Sequence, residues 1–129
     1  MRRMSLLITI VALASLGLAA PVLAAAPSGD LYATRTTIAT LPFSESVDTT
    51  EATTDADDVE AAADCGAPAT DASVWYEYTA TSDAGVIVDT NSSTYSTGVI
   101  VATGSPGTFS LVTCFAGSDV VPIDRKSVV

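Results

Sequence analysis

The stretch of sequence that decides the fold is SVWYEYTA, residues 73–80. It concentrates aromatic and β-branched residues over the length of one strand, the composition preferred on a pleated sheet. Side chains alternate between the two faces of a strand, so three share one face and two share the other: Val74, Tyr76 and Tyr78 against Trp75 and Glu77. Residues 73–80 are therefore predicted to form a β-strand.

Further strand-like segments lie on both sides of this stretch. Upstream, residues 36–41 and 43–48 predict a pair of strands flanking Pro42. Downstream, three segments have strand length and apolar or alternating character: residues 85–90 (GVIVDT), 97–103 (TGVIVAT) and 108–115 (TFSLVTCF). Residues typical of turns separate these segments, and no amphipathic helix of useful length interrupts them.

This spacing indicates the fold class. Several short strands at regular intervals predict an all-β protein, either a sandwich or a barrel. The run Val86-Ile87-Val88 is apolar on both faces of its strand, which predicts a position at the centre of a stacked sheet.

The N-terminal segment has the features of an export signal. Arg2 and Arg3 precede an uncharged, largely apolar stretch over residues 5–20, and small residues follow around Ala24. A membrane-spanning helix is the alternative, but the stretch is shorter than the roughly 20 residues that a bilayer requires. We predict a signal peptide of the general secretory route over residues 1–24, hence a secreted protein with no membrane attachment after cleavage.

The last six residues differ from the rest. Residues 124–129 (DRKSVV) place two bases side by side, whereas residues 25–123 contain a single basic residue, Arg35. The hexapeptide also matches one reading frame of a widely used DNA-sequencing adapter. We predict a non-native tail, with a natural polar terminus as the alternative; synonymous codons other than those of the adapter would exclude the first interpretation.

The charge and the absence of histidine argue against nucleic-acid binding and against enzyme activity. The chain has 5 basic residues, 15 acidic residues and no histidine, a net charge of −10. Too few cations are available to replace the counterions of a nucleic acid, so we predict no nucleic-acid binding. No histidine is present to activate a serine or threonine, so we predict no enzyme activity. The alternative is a small glycoside hydrolase that uses a carboxylate pair such as Glu77 and Asp89, although their spacing does not favour it.

Residues 49–71 form an acidic segment of Thr, Ala, Asp and Glu. The composition predicts a long solvated loop with a helical turn over residues 59–63. Asp55, Asp57 and Asp58 are candidate ligands for Ca²⁺, which prefers carboxylate and carbonyl oxygens. The glycine and terminal glutamate of an EF-hand loop are absent, and a solvated acidic loop without metal is the alternative.

Two further groups of residues suggest specific roles. Cys65 and Cys114 are the only cysteines, and export predicts a structural disulfide between them. A metal or redox pair is the alternative, but it lacks Cys-x-x-Cys spacing. Trp75, Tyr76 and Tyr78 are candidates for a platform on which sugars stack, with core packing as the alternative.

The order of motifs over residues 30–117 resembles the bacterial pre-peptidase C-terminal-type domain. The similar segments are LPFS at 41–44, VDTT at 47–50, ATT at 52–54, ASVWYEYTA at 72–80, GVIVDT at 85–90, and residues 95–104 ending in ATG. Two departures are Ala102, where the family often has an aromatic residue, and the short sequence after Cys114, where the family has several more strands.

The resemblance implies a jelly-roll-like β-sandwich of the kind appended to secreted hydrolases and surface proteins, usually as an accessory module. Residues 25–123 would then be a partial domain of a larger extracellular protein. Its expected role is to bind polysaccharide or cell-surface material, or to space a covalently linked downstream domain.

Overall fold

The protein is described from a computed structural model that covers residues 24–65, 71–83, 85–116 and 120–123. The predicted signal peptide, apart from Ala24, and the predicted tail at 124–129 lie outside these residues. The elements are β1 (Thr36–Ile38), α1 (Ala56–Ala62), β2 (Tyr76–Tyr78), β3 (Val86–Asp89), β4 (Gly98–Thr103), β5 (Ser110–Ala116) and β6 (Val120–Ile123). The described chain is therefore β-rich with little helix, as the sequence predicts.

The strands form three two-stranded sheets. β1 and β2 are parallel, with Thr36 opposite Tyr76. β3 and β6 are antiparallel, and so are β4 and β5. The register of β4 and β5 shifts between Val101 and Ala102, so the ladder is irregular at this point.

The predicted strand pair around Pro42 is wrong in one half. Only β1 forms, and residues 43–49 contain no strand. β1 pairs instead with β2, and next to this pairing Thr36 N donates a backbone hydrogen bond of 2.9 Å to Trp75 O. Pro42, which follows a cis peptide bond, lacks a backbone donor, and the aromatic stretch at 75–78 provides the alternative partner for β1.

The predicted central position of Val86-Ile87-Val88 is also wrong among the described residues. β3 has one strand partner, β6, and the Ile87 side chain is 67 % exposed. β6 lies outside the strands predicted from the sequence, and the Pro122 within it is compatible with a strand at an edge. Pro122 is paired opposite Ile87 in the two-stranded sheet.

Burial concentrates on α1. Ala61 and Ala62 are the fully buried apolar residues of the described chain, and α1 lies against β4. A second packed region is formed by aromatic rings that meet from three different parts of the chain, Tyr32, Trp75 and Phe109.

Candidate functional site

The acidic segment contains a well-defined helix start. The Asp55 carboxylate accepts hydrogen bonds from Asp57 N at 2.9 Å and from Asp58 N at 3.2 Å, and Asp55 N donates to the Asp58 carboxylate at 2.8 Å. This reciprocal pattern is a capping box, which satisfies backbone donors that the first helical turn leaves open. The helix therefore begins at Ala56, three residues before the predicted turn.

Asp58 corrects the prediction that this segment is wholly solvated. Its side chain is only 3 % exposed, and it also accepts a hydrogen bond from Ser73 Oγ. Asp30 is buried in a similar way and accepts from the backbone and hydroxyl of Thr53. The acidic segment is thus tied to the remainder of the fold through hydrogen-bonded carboxylates rather than standing free in water.

Two of the three carboxylates predicted to bind calcium already accept hydrogen bonds from the backbone. Asp55 and Asp58 serve the helix start, while burial and the neighbouring acids raise the pKa of Asp57. Among the described residues there is no group of three or more acidic, cysteine or histidine side chains arranged to hold a metal ion. Calcium binding by Asp55, Asp57 and Asp58 stays a prediction.

Two long-range links fasten α1 and its C-terminal end to the β4–β5 hairpin. Cys65 and Cys114 form the predicted disulfide, with their Cα atoms 5.8 Å apart. Glu60 accepts a hydrogen bond from Gly107 N at 2.8 Å and another from Phe109 N at 3.3 Å. Because these links join residues 47 to 49 positions apart in the chain, they hold α1 and its C-terminal end against the β4–β5 hairpin.

The structure separates the three aromatic residues of the predicted sugar platform. The Trp75 ring stacks on Phe109 with centroids 5.4 Å apart, and Tyr32 packs edge-on against both rings. One face of the Trp75 ring is covered by Phe109, which favours the core alternative for this residue. Its Nε1 is buried without a hydrogen-bond partner, an unusual state for an indole.

Tyr76 occupies the opposite face of β2, as the alternation predicts. Its ring lies edge-on to Phe43, with centroids 6.0 Å apart, and its side chain is 38 % exposed. Partial burial and a hydrogen bond with Glu45 raise the pKa of Tyr76 to about 12. Tyr78 is half-buried and lies opposite Ile38 in the β1–β2 sheet, so the three candidates do not form one platform.

The carboxylates considered for hydrolysis are engaged in different local structures. Glu77 accepts from Arg35 Nε at 2.9 Å, and the guanidinium lies 4.3 Å from the centroid of the Tyr32 ring. This ion pair raises the pKa of Arg35. Asp89 accepts from Asn91 N at 2.9 Å in the turn after β3. The two carboxylates belong to different sheets, and the structure provides no observation that favours catalysis by them.

The larger of the two most prominent clefts lies away from these groups. Three loops line an open depression of about 650 Å³, which we call the Tyr95 cleft; its lining residues are 46–50, 71–72 and 94–96. A smaller cleft of about 320 Å³ shares four of these residues and extends the space toward residues 44–45 and 92–93. Ala72 at the cleft wall has a φ of 61°, which is uncommon for a residue with a side chain.

Local hydrogen bonds position the polar groups of the Tyr95 cleft. The hydroxyl groups of Thr49 and Tyr95 lie 2.8 Å apart and form a hydrogen bond between two of the loops. Asp48 accepts from the hydroxyl of Thr50 and, at 3.0 Å, from its backbone N–H; these bonds lower the pKa of Asp48. The side chain of Tyr95 is 52 % exposed.

The sequence analysis did not identify the Tyr95 cleft. Its residues come from three loops that are far apart in the chain, and Ser, Thr and Asp are common in any turn. The one available signal was Tyr95, an aromatic residue within a stretch otherwise typical of turns. Loop aromatics of this kind are better candidates for ligand contact than aromatics within a strand, because packing in the sheet does not explain them.

Comparison with protein-family models, curated proteins and solved structures gave no match. The resemblance to the pre-peptidase C-terminal-type domain thus remains an expectation from the motifs alone. Across the described residues, no helix has the length and apolar character needed to cross a membrane. The disulfide is compatible with an extracellular protein.

Proposed function

We propose that the chain is a secreted, non-catalytic accessory module that binds polysaccharide or cell-surface material through the Tyr95 cleft. The observation that carries the proposal is the cleft itself, with its exposed tyrosine and its polar lining. Its volume lies within the roughly 300–1,000 Å³ typical of sites for small ligands. A covalently linked downstream domain would be held beside the bound material by such a module.

The pairing of strands supports the finer proposal of a jelly-roll-like sandwich. β4 pairs with β5, and β3 pairs with β6 outside them, so two antiparallel pairs are nested along the chain. Nested pairs arise when a long hairpin is rolled into two layers, which is the architecture of a jelly roll. In this arrangement loops cluster at the ends of the strands, where binding residues are commonly found.

The proposal is tested by measuring the binding and the hydrolysis of polysaccharides with one preparation of the purified chain. The chain, exported to an oxidising compartment and purified, is incubated with insoluble cell-wall material and with a panel of polysaccharides. We expect it to sediment with at least one of these materials and to release no soluble sugar. Phe115→Ala removes an aromatic residue with 39 % exposure that does not line the Tyr95 cleft, and should bind as the parent does.

Two results would overturn this proposal. Absence of binding to every material would remove the binding role. Sugar release that is abolished by Glu77→Gln or Asp89→Asn would instead establish the hydrolase alternative, because neither residue lines the Tyr95 cleft.

A further inference from the structure

Six of the ten residues that line the Tyr95 cleft carry a hydroxyl group. They are Ser46, Thr49, Thr50, Thr94, Tyr95 and Ser96. Each hydroxyl can donate one hydrogen bond and accept others, so such a surface matches a ligand that also carries many hydroxyl groups. The mutual hydrogen bond of Thr49 and Tyr95 holds two of these groups in place across the loops.

The charges of the cleft distinguish between classes of polyhydroxylated ligand. Asp48 and Asp71 line the Tyr95 cleft, Glu45 lines its smaller extension, and the described lining contains no basic residue. An acidic sugar would therefore meet like charges without a compensating cation, which is unfavourable. A neutral sugar hydroxyl can donate to these carboxylates, and hydrogen bonds to a charged acceptor are about twice as strong as neutral ones.

The ring of Tyr95 adds an apolar contact. Tyrosine combines an apolar body with a polar tip, and half of this side chain is open to solvent at the cleft. The pyranose ring of a sugar likewise has an apolar C–H face and a rim of hydroxyl groups. Stacking on Tyr95 and hydrogen bonding to the surrounding side chains can therefore occur together.

We infer that the Tyr95 cleft binds a short segment of a neutral polysaccharide and discriminates against acidic polysaccharides. This inference rests on the proposed binding function and specifies its substrate class. Tyr95 provides the stacking surface, while Asp48 and Asp71 accept hydrogen bonds from sugar hydroxyls and repel carboxylated or sulfated sugars.

The experiment measures binding to matched soluble polysaccharides by affinity electrophoresis and titration calorimetry. The neutral probes are a β-glucan, a mannan and a xylan; the acidic probes are polygalacturonate and alginate; oligolysine tests a basic peptide as the alternative partner. We expect binding to at least one neutral probe and, at low ionic strength where charge is weakly screened, no binding to either acidic probe.

Substitutions distinguish the contribution of the Tyr95 ring to binding from that of the Asp48 and Asp71 carboxylates. Tyr95→Ala should weaken binding of the neutral probe about tenfold or more, as loss of an aromatic anchor does in other interfaces, whereas Phe115→Ala should leave it unchanged. Thr49→Val should weaken it several-fold, and Thr37→Val on the exposed side of β1 is its control. The double variant Asp48→Asn with Asp71→Asn should gain measurable binding to an acidic probe.

Each contrary outcome has a distinct meaning. Binding of an acidic probe as strong as that of the neutral probes would overturn the inference while leaving the binding module intact, and so would binding of oligolysine alone. Neutral binding that Tyr95→Ala leaves unchanged would show that the ligand occupies another surface. Absence of binding to every probe and to cell-wall material would overturn the inference together with the proposed function.

Discussion

The region around α1 and the β4–β5 hairpin differs from the region around β3 and the Tyr95 cleft. The first is held by a disulfide, by Glu60 and by the buried Asp58 carboxylate at the helix start. The second has exposed apolar and aromatic side chains, with Ile87 at 67 % and Tyr95 at 52 % exposure. Specific cross-links and polar contacts therefore stabilise one part of this chain, while the loops of the other part stay exposed.

The largest expected effect is loss of the disulfide. The Cys65→Ala and Cys114→Ala double variant should lose about 4 kcal/mol of unfolding free energy, because the bond closes a loop with a sequence separation of 49 residues. Urea denaturation of the variant and of the reduced parent should give the same loss. A loss below about 1 kcal/mol would mean that other contacts, not the cross-link, hold the first region together.

Removal of the Asp58 carboxylate should cause the second largest loss of unfolding free energy. Asp58→Ala leaves Ser73 and the Asp55 backbone without their acceptor in a buried place, which costs about 2 kcal/mol of unfolding free energy. Asp57→Ala is the matched control in the same helical turn and should change stability by less than about 0.5 kcal/mol. Equal effects of the two variants in urea denaturation would contradict a special contribution of the buried Asp58 carboxylate and its hydrogen bonds.

A smaller effect is expected at high pH from Tyr76. Its pKa is raised to about 12 in the fold, against about 10 for an unperturbed tyrosine, so folding favours the protonated ring. The corresponding stability is fully present below pH 10 and is lost as the pH rises through 12. The side chain is more than one-third exposed, which reduces the effect.

Tyrosinate absorbance and stability measured across this pH window test the contribution of Tyr76. Tyr76→Phe should abolish the part of the pH dependence that belongs to this residue, while Tyr95→Phe should retain it. A parent and a Tyr76→Phe variant with the same loss of stability between pH 10 and 12 would contradict the expectation.

The smallest effect is expected at the open region. Ile87→Thr should change the unfolding free energy by less than about 0.5 kcal/mol, because the side chain is already mostly in water and threonine keeps the β-branch. Ala62→Val in the packed region should cost about 1–3 kcal/mol through overpacking. Thermal unfolding of the two variants compares the regions directly, and a larger loss for Ile87→Thr would reverse the comparison.

The sequence predicted the positions of the strands better than it predicted which strand pairs with which. Alternation and β-propensity located β2, β3, β4 and β5, and the only two cysteines identified the disulfide. The same reasoning placed a strand at 43–48, where Pro42 and the competing partner at 75–78 prevent one, and did not predict β6. Local patterns report what a segment favours, whereas pairing depends on which segment offers free backbone groups at the right distance.

The candidate site was less predictable than the fold. Trp75, Tyr76 and Tyr78 were grouped because they are close in sequence, but alternation along β2 sends Trp75 to the Phe109 ring and Tyr76 to Phe43. The acids at 55–58 were grouped by composition, and the structure uses them to begin a helix. The aromatic contacts could not be predicted because they depend on residues distant in the chain, whereas the capping box is local and the Asp-x-x-Asp spacing of Asp55 and Asp58 was an available signal for it.

By itself, the sequence determined that the chain is β-rich, acidic and cross-linked, because these properties follow from residue type and short-range periodicity. The tertiary structure shows which carboxylates are buried, which aromatic rings pack together, and that loops 46–50, 71–72 and 94–96 line one open cleft. The physical reason is that burial and cavity formation arise from contacts between segments separated by dozens of residues. No local pattern along the chain records those contacts.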